Sequence, residues 1–191
     1  MARRKVISNK KEIIDAAFTI VDTDGVNALS IRRLSAHLNV SSMTLYNYIE
    51  NIDEVKKEII LEGFRRLYRN GYEALLSIRK YDGLIHIEEG CQALAKALYH
   101  FGVAQPNLFE LMFCTNDGKF RKDAEVAPFY GFFHNLLHRK SAPNGNGDNG
   151  RALNMLGHIT NYMIIERIRG INNTTEEDYF EHVNEYISKM F

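Results

Sequence analysis

Residues 30–51 read SIRRLSAHLNVSSMTLYNYIEN, and they predict two short helices joined by a tight turn. Ser30 and Ser41 have the hydroxyl side chains that cap helix N-termini, and Asn39 tolerates the left-handed backbone that ends a helix. Apolar residues of the first helix recur at the spacing of an inward face: Ile31, Leu34 and Leu38. We therefore expect a helical corner whose second helix starts directly after Ser41.

The second helix of this corner, predicted over residues 42–48, has two faces of different character. At about 100° per residue, Leu45, Tyr48 and Ile49 lie on one side, which can pack beneath the first helix. The opposite side carries a hydroxyl, a thioether, a phenol and an amide: Ser42, Met43, Tyr46 and Asn47. Such side chains suit contacts with base edges and phosphates, so the corner has the geometry of a helix-turn-helix that reads a DNA major groove.

The rest of the chain also has a helical pattern, because apolar residues recur at three- and four-residue spacing without sustained period-two alternation. Asn9 and Glu12 predict the start of a first helix, which Gly25 ends. Asn51 and Glu54 predict the start of a long fourth helix in the same way.

Five further helices are expected near residues 84–103, 106–114, 120–139, 151–169 and 175–190. Thr174 and Glu177 form a capping pair before the last of them. The glycine-containing segments KYDG at 80–83 and SAPNGNGDNG at 141–150 are expected to interrupt the helices. The sequence thus predicts an all-α fold of about nine helices.

The composition is that of an ordinary soluble globular protein, with 45% hydrophobic and 25% charged residues among 191. A formal net charge of zero argues against a protein that coats nucleic acid indiscriminately, although residues 1–11 hold five cations and no acid. No apolar run reaches the roughly 18 residues of a membrane span, and no signal-peptide core follows the basic N-terminus, so we expect a cytoplasmic protein. Cys91 and Cys114 are expected to be buried thiols rather than a disulfide.

Residues 30–55, SIRRLSAHLNVSSMTLYNYIENIDEV, resemble the helix-turn-helix of the TetR family of transcriptional regulators. The matching pattern has a hydroxyl residue before an arginine and a leucine, then a polar pair before Thr-Leu-Tyr, with a long helix directly after. The upstream stretch IIDAAFTIV resembles the first helix of that family. The chain differs from the usual family residues at four positions: Ser35 replaces Ala, Asn39 replaces Gly, Ile49 replaces Phe and Ile52 replaces a basic residue.

The resemblance implies a homodimeric, ligand-responsive transcriptional regulator, a repressor rather than an activator, that binds a palindromic operator in double-stranded DNA. Residues 1–51 would form the DNA-binding head, and residues 52–191 the ligand-binding and dimerisation body. The residues expected to contact DNA are Arg3, Arg4, Lys5, Ser30, Ser41, Ser42, Met43, Thr44, Tyr46, Asn47, Tyr48 and Lys56. We expect no catalytic residue, metal ligand or cofactor, apart from an unidentified small-molecule effector.

Two sets of body residues are expected to bind the effector and the second subunit. Aromatic residues, a methionine and two histidines would line a largely apolar pocket: Phe64, Tyr68, His100, Phe109, Met112, Phe113, Phe133 and His134. The last two helices carry more apolar residues than a two-helix tail can bury in itself, so we expect a four-helix dimer seam. The residues assigned to that seam are Leu153, Leu156, Ile164, Ile168, Phe180, Val183 and Ile187.

Two other functions remain open from the sequence. An enzyme is the first, because His134 and His138 have the i, i+4 spacing of paired metal ligands on a helix, although no glutamate follows the first histidine and no third ligand is evident. The second is a TetR-like helical adaptor or small-molecule-binding protein with weak or lost DNA binding, given Ile52 and the neutral total charge.

Overall fold

The computed structural model describes residues 7–79, 85–114, 119–137 and 149–191. Within these residues the chain forms nine α-helices, three 3₁₀ turns and no strand, so the predicted all-α fold is confirmed. The helices are α1 (Lys10–Asp24), α2 (Ile31–Leu38), α3 (Ser42–Leu45), α4 (Ile52–Ser77), α5 (Ile87–Ala104), α6 (Pro106–Phe113), α7 (Phe132–Leu137), α8 (Asn149–Ile168) and α9 (Glu176–Met190). The 3₁₀ turns are Val26–Ala28, Phe120–Lys122 and Ala127–Tyr130.

The predicted start and stop signals of α1 and α4 are confirmed by hydrogen bonds and backbone angles. The Asn9 side chain accepts a hydrogen bond from the backbone N–H of Glu12 at 3.1 Å, and Asn51 accepts one from Glu54 at 3.0 Å. Gly25, which follows α1, has a φ of 80°, a conformation that residues with a Cβ rarely adopt. Two asparagine side chains therefore fix the starts of α1 and α4, and a glycine fixes the end of α1.

The predicted single helix over residues 120–139 is wrong. Two 3₁₀ turns come first, and only Phe132–Leu137 is α-helical among the residues described there. Pro128 lies in the second 3₁₀ turn and has no N–H for an α-helical hydrogen bond. The predicted break over residues 80–83 lies outside the described residues, as do residues 141–148 of the predicted break over 141–150. The last two residues of that break are helical instead, because α8 begins at Asn149.

The start of α9 is one residue later than the capping pair predicted from the sequence. The Thr175 hydroxyl accepts a hydrogen bond from the Asp178 N–H at 3.1 Å, and the Asp178 carboxylate accepts one from the Thr175 N–H at 2.8 Å. The predicted pair of Thr174 and Glu177 has the same spacing, because the local sequence TTEED offers both registers. The structure uses the second one.

The first three helices form a head around a small core. Leu34, Leu38 and Leu45 are buried, and α2 packs against both α1 and α3. The long helix α4 follows the head directly and packs against α1 as well as against α5 of the body. Because α4 contacts both parts, the domain boundary between residues 51 and 52 stays a prediction.

The body is arranged around α5, which packs against α4, α6, α7, α8 and α9. The shorter helix α6 connects this bundle to the head, because it also packs against α1. The side-chain amide of Asn107 in α6 donates a hydrogen bond to the backbone carbonyl of Asp22 in α1 at 2.7 Å. The head is therefore held by two body helices, α4 and α6.

Neither cysteine forms a disulfide, as expected, and the two thiols differ in burial. Cys91 is fully buried, and this burial raises its pKa to about 12, whereas Cys114 is only half-buried. None of the described helices has the length and hydropathy of a membrane span.

Candidate nucleic-acid interface

The turn between α2 and α3 depends on the left-handed backbone of Asn39. This residue has φ 56° and ψ 44°, and its N–H donates a hydrogen bond to the carbonyl of Ala36 at 3.1 Å. The N–H of Val40 donates to the carbonyl of Ser35 at 3.0 Å, which completes the helix end. Asn is the residue that accepts this conformation most readily after Gly, so the departure from the family's usual residue preserves the turn.

Ser35 connects the two helices of the corner. Its side chain is almost fully buried, and its hydroxyl donates to the backbone carbonyl of Arg32 at 3.0 Å. The same oxygen lies 3.3 Å from the hydroxyl oxygen of Ser42, the first residue of α3. A partly buried hydroxyl pair thus helps to fix the angle between α2 and α3, and alanine at position 35 would remove it.

The reading segment, which we define as residues 41–48, is helical over a shorter length than predicted. Only Ser42–Leu45 is α-helical, and residues 46–48 form a turn in place of the predicted helical end. The Tyr48 N–H donates to the carbonyl of Leu45 at 2.9 Å, and the backbone of Tyr46 stays right-handed with φ −65° and ψ −11°. The turn therefore continues the sense of the helix, although α3 itself is only one turn long.

Three of the four side chains predicted to face outward are exposed, whereas the fourth, Ser42, is half-buried against Ser35. Met43 is 73% exposed, Tyr46 is 49% exposed, and Asn47 is also exposed, whereas Leu45 and Ile49 are buried beneath them. The side chains of Tyr46 and Asn47 make no hydrogen bond to another described residue. These three side chains are therefore available to a ligand.

Hydroxyl groups predicted to contact DNA already have partners within the chain. The Ser30 hydroxyl accepts from the Arg33 N–H at 3.2 Å, and the Ser41 hydroxyl accepts from the Thr44 N–H at 3.2 Å. The side-chain oxygens of Ser41 and Thr44 lie 2.8 Å apart. These hydroxyl groups cap the N-termini of α2 and α3. Contact with DNA stays a prediction for Ser30, Ser41, Ser42 and Thr44.

Tyr48 is placed differently from the other residues predicted to contact DNA. Its side chain is half-buried, and its hydroxyl donates to the backbone carbonyl of Ile7 at 2.8 Å. Since Ile7 is itself buried, the bond fastens the reading segment to the residues that precede α1. Tyr48 is therefore an anchor within the head, and its predicted contact with DNA stays a prediction.

The cations near the reading segment differ in how far neighbouring acids neutralise them. Arg33 is held by Asp24 at 2.7 Å, and the Lys56 ammonium lies 3.9 Å from a carboxylate oxygen of Asp53. Arg32 is exposed and forms no ion pair with another described residue, yet it was absent from the predicted DNA contacts. Its position in the first turn of α2, within the motif SIRRL, was the available signal.

Three of the cations predicted to contact DNA, Arg3, Arg4 and Lys5, lie outside the described residues. Their role as a basic arm stays a prediction. Among the described residues, no group of three or more His, Cys, Asp or Glu side chains is placed to hold a metal ion. His138, the second histidine of the alternative metal pair, lies outside the described residues.

The aromatic residues predicted to line an effector pocket form packed core instead. Phe64, Phe109, Met112 and Phe133 are almost completely buried, and the ring of Phe64 packs edge-on against Phe113 at 5.6 Å between centroids. Tyr68 donates to the carbonyl of Phe129 at 3.0 Å and accepts from the amide of Asn135 at 2.8 Å. Burial raises the pKa of Tyr68 to about 12, against the opposing effect of the amide donor. This region is filled by its own side chains.

Two surface cavities formed by described residues lie beside this core. One, of about 680 Å³, lies along α8 and α9 and includes Phe113, Ile159, Tyr162, Met163, His182 and Tyr186 in its lining. The other, of about 790 Å³, lies between α4, α5 and α9 and includes Glu73, Ala74, Glu89, Lys96, His100 and Phe180. Phe113 and His100 are the members of the predicted pocket that line these cavities, and Tyr68 and His134 line neither.

The predicted dimer residues also require a correction. Five of them are buried within the single chain: Leu153, Leu156, Ile164, Val183 and Ile187. They cover α5, which packs against both α8 and α9, so the apolar excess in the last two helices is used inside one subunit. Ile168 and Phe180 are half-buried.

Large apolar side chains nevertheless remain on the outer surface of α8 and α9. Met155 is 56% exposed, Tyr162 is 61% exposed, and Tyr186 of α9 is 38% exposed. Tyr162 and Tyr186 both line the cavity of about 680 Å³. We call this surface the α8–α9 outer face.

Comparison with known proteins gives relatives in sequence and in fold. No protein-family model matches the chain. YobS of Bacillus subtilis (strain 168), an uncharacterized HTH-type transcriptional regulator, is 31% identical over 101 residues, which are 53% of this chain and 49% of that protein. The chain spans about half the length of this curated relative.

Several solved structures resemble the fold over nearly the whole chain. A protein of unknown function from Rhodococcus sp. RHA1 has a TM-score of 0.73 at 19% identity, over 94% of each chain. A TetR-family transcriptional regulator from Streptomyces coelicolor has a TM-score of 0.64 at 17% identity, over 95% of this chain and 98% of that one. A variant of TetR from Acinetobacter baumannii AYE, in complex with minocycline, has a TM-score of 0.60 at 15% identity, over 96% of each chain. The resemblance to the TetR family is thereby confirmed at the level of the fold.

Proposed function

We propose that this chain, which has the TetR-family fold, is a DNA-binding regulator of transcription that represses its target as a ligand-responsive homodimer. The observation that carries the proposal is the outward presentation of Met43, Tyr46 and Asn47 above a buried Leu45 and Ile49. Exposed amide, phenol and thioether groups on a rigid corner are suited to the edges of bases in a major groove. A corner with no ligand would have no need to expose them together.

The charges around the corner support the same proposal. The exposed guanidinium of Arg32 stands on α2, and in helix-turn-helix proteins the first helix of the corner crosses the DNA backbone. A cation in that place suits a phosphate contact, which adds affinity for any sequence. The net charge of the whole chain is zero, which argues against indiscriminate binding of nucleic acid along the rest of the surface.

Dimerisation would occur through the α8–α9 outer face, with Met155, Tyr162 and Tyr186 at its centre. A stable interface buries about 800 Å² on each partner, and exposed aromatic residues and methionine are the side chains that such interfaces favour. In a twofold dimer the two reading segments would lie about 34 to 36 Å apart, which is one turn of DNA. The operator would then be a palindrome.

An effector would bind in the cavity between α4, α5 and α9. The C-terminal half of α4 borders this cavity, with Asn70, Glu73 and Ser77, and the other end of α4 starts four residues after the reading segment. A ligand that prefers one position of α4 would lower operator affinity by its difference in affinity for the two states. The minocycline complex of the Acinetobacter structure supports a ligand-responsive fold, without identifying this ligand.

Selection from a pool of random DNA duplexes tests the proposed function. The purified protein is incubated with the pool at moderate salt, and bound duplexes are recovered and sequenced over several rounds. We expect an inverted repeat whose half-sites are one helical turn apart. A pool that stays random would contradict DNA reading and favour the adaptor alternative.

A further inference from the structure

We propose that the reading segment recognises A·T base pairs at the centre of each operator half-site. This inference rests on the proposed function and names the chemistry of its binding partner. It rests on two observations: the chemistry of the exposed side chains of the reading segment, and the absence of arginine and lysine from residues 41–51.

The residues of the corner that can enter a groove include no group of the type that usually reads guanine. Arg and Lys, which pair with the O6 and N7 atoms of guanine, make the commonest specific contact in the major groove. Residues 41–51 contain neither of them. The outward side chains are Met43, Tyr46 and Asn47, none of which carries a positive charge.

The side chains that are exposed match adenine and thymine. The amide of Asn47 is free and can both donate to N7 and accept from the N6 amino group of adenine, as Asn commonly does. Met43 is the most exposed of the large apolar side chains, and an apolar group suits the methyl group of thymine. One residue therefore selects adenine and the other selects thymine.

The spacing of the two side chains fits two base pairs that are about two steps apart. Met43 and Asn47 are four residues apart on a right-handed turn, which corresponds to a rise of about 6 Å. Base pairs are stacked about 3.4 Å apart along the DNA axis, so the two side chains reach pairs that are about two steps apart. Tyr46 lies beside them and can contact an intervening thymine methyl group or a phosphate.

The exposed cation of α2, Arg32, does not change this preference. Arg32 is exposed on α2, the helix that crosses the DNA backbone in this class of corner, so its guanidinium would meet phosphate rather than base edges. Arg33, its neighbour, is held by Asp24 at 2.7 Å. Guanine at the half-site centre would therefore meet no cationic donor from the described head.

Selection from a random duplex pool with three proteins tests this inference: the wild type, Asn47→Gln and Asn47→Arg. The wild type should recover A·T pairs at two positions of each half-site, and Asn47→Gln should keep the adenine. Asn47→Arg should shift that position to G·C, because arginine reads guanine. Replacing the adenine by guanine in the recovered duplex should weaken wild-type binding about 10- to 100-fold.

The outcomes separate this inference from the proposed function. The wild type could instead recover a palindrome that has G·C at the position expected to be A·T, with Asn47→Arg recovering the same base pair there. The A·T inference would then fail, while DNA reading would stand. If the wild type recovers no sequence, both fail. A wild-type A·T consensus that changes with residue 47 supports both.

Discussion

The hydroxyl of Tyr48 donates a hydrogen bond to the backbone carbonyl of Ile7 at 2.8 Å, so the end of the reading segment is fastened to the residues before α1. Tyr46, two residues earlier, points outward, and its hydroxyl has no partner among the described residues. The two tyrosines of this turn therefore have different roles. Tyr48 connects the reading segment to the residues before α1, and Tyr46 is exposed and can contact a ligand.

Removing the Tyr48 hydroxyl should weaken the head without removing any exposed contact group. Tyr48→Phe should lower the free energy of unfolding by about 1 kcal/mol, because the Ile7 carbonyl loses its donor. Tyr46→Phe is the matched control and should leave stability unchanged. Urea denaturation followed by circular dichroism measures both, and equal stabilities of the two variants would contradict the assignment of Tyr48 as an anchor.

The two neighbouring arginines of α2 should differ in their effect on DNA binding. Arg32→Ala should weaken binding to all sequences and reduce the salt dependence of log K by about one phosphate contact, or roughly 0.9 in slope. Arg33→Ala should have a smaller effect, because Asp24 already neutralises that guanidinium. Binding measured across a series of salt concentrations separates them. A larger reduction in the salt dependence of log K for Arg33→Ala than for Arg32→Ala would contradict this assignment of the phosphate contact.

The corner and its caps could be predicted from the sequence because their signals are local. Ser30, Asn39 and Asn51 each act on a backbone group within three residues, and the alternation of buried and exposed residues in the reading segment follows from about 100° per residue. The hydrogen bond between the Ser35 and Ser42 hydroxyls and the anchoring of Tyr48 could not be predicted, because each depends on how elements meet in space.

The body was harder to predict because its apolar residues have several possible partners. Leu153 and Val183 belong to apolar helix faces that could pack equally well against a second subunit or against a central helix of the same chain. Only the position of α5, in contact with both α8 and α9, decides between these. The aromatic residues around Phe64 were likewise consistent with a pocket wall or with packed core, and their mutual ring contacts make them core.

The α8–α9 outer face should determine the oligomeric state. Tyr162→Glu places a charge at the centre of the proposed seam and should convert the dimer to a monomer at micromolar concentration. Leu76→Glu is the matched control, because Leu76 is 43% exposed and belongs to α4 rather than to α8 or α9. Sedimentation velocity distinguishes the masses. A wild type that sediments as one chain, or a dimer that Tyr162→Glu leaves intact, would contradict this seam.

The ion pair between α1 and α4 should give the head an acid-sensitive contribution to stability. The Lys10 ammonium lies 2.6 Å from the Glu54 carboxylate, which also accepts from the Glu50 N–H at 2.6 Å. The bond from Lys10, with help from the Glu50 N–H, lowers the pKa of Glu54 below its usual value of 4.5. The stabilisation is therefore complete above that value and is lost as pH falls through the lower, folded-state pKa.

Glu54→Gln tests this contribution through its pH dependence. At pH 7 the variant should be less stable than the wild type by about 1 kcal/mol or less, because the pair is partly exposed. The difference should shrink toward zero as pH falls from 5 to 3, since Glu54 becomes neutral in the wild type as well. Urea midpoints measured across this range provide the comparison. A difference that stays constant with pH would show that the charge of Glu54 has no part in it.

The central claim, that the exposed side chains above Leu45 and Ile49 read DNA bases, is tested most directly by fluorescence anisotropy with Asn47→Ala. The variant, the wild type and a control, Asn173→Ala in the exposed loop before α9, are titrated onto the selected operator and onto a scrambled duplex of equal length. We predict that Asn47→Ala loses about 1 to 3 kcal/mol on the operator and nothing on the scrambled duplex, while the control loses nothing on either. Equal losses of Asn47→Ala on both duplexes, or no loss on the operator, would contradict base reading by this corner.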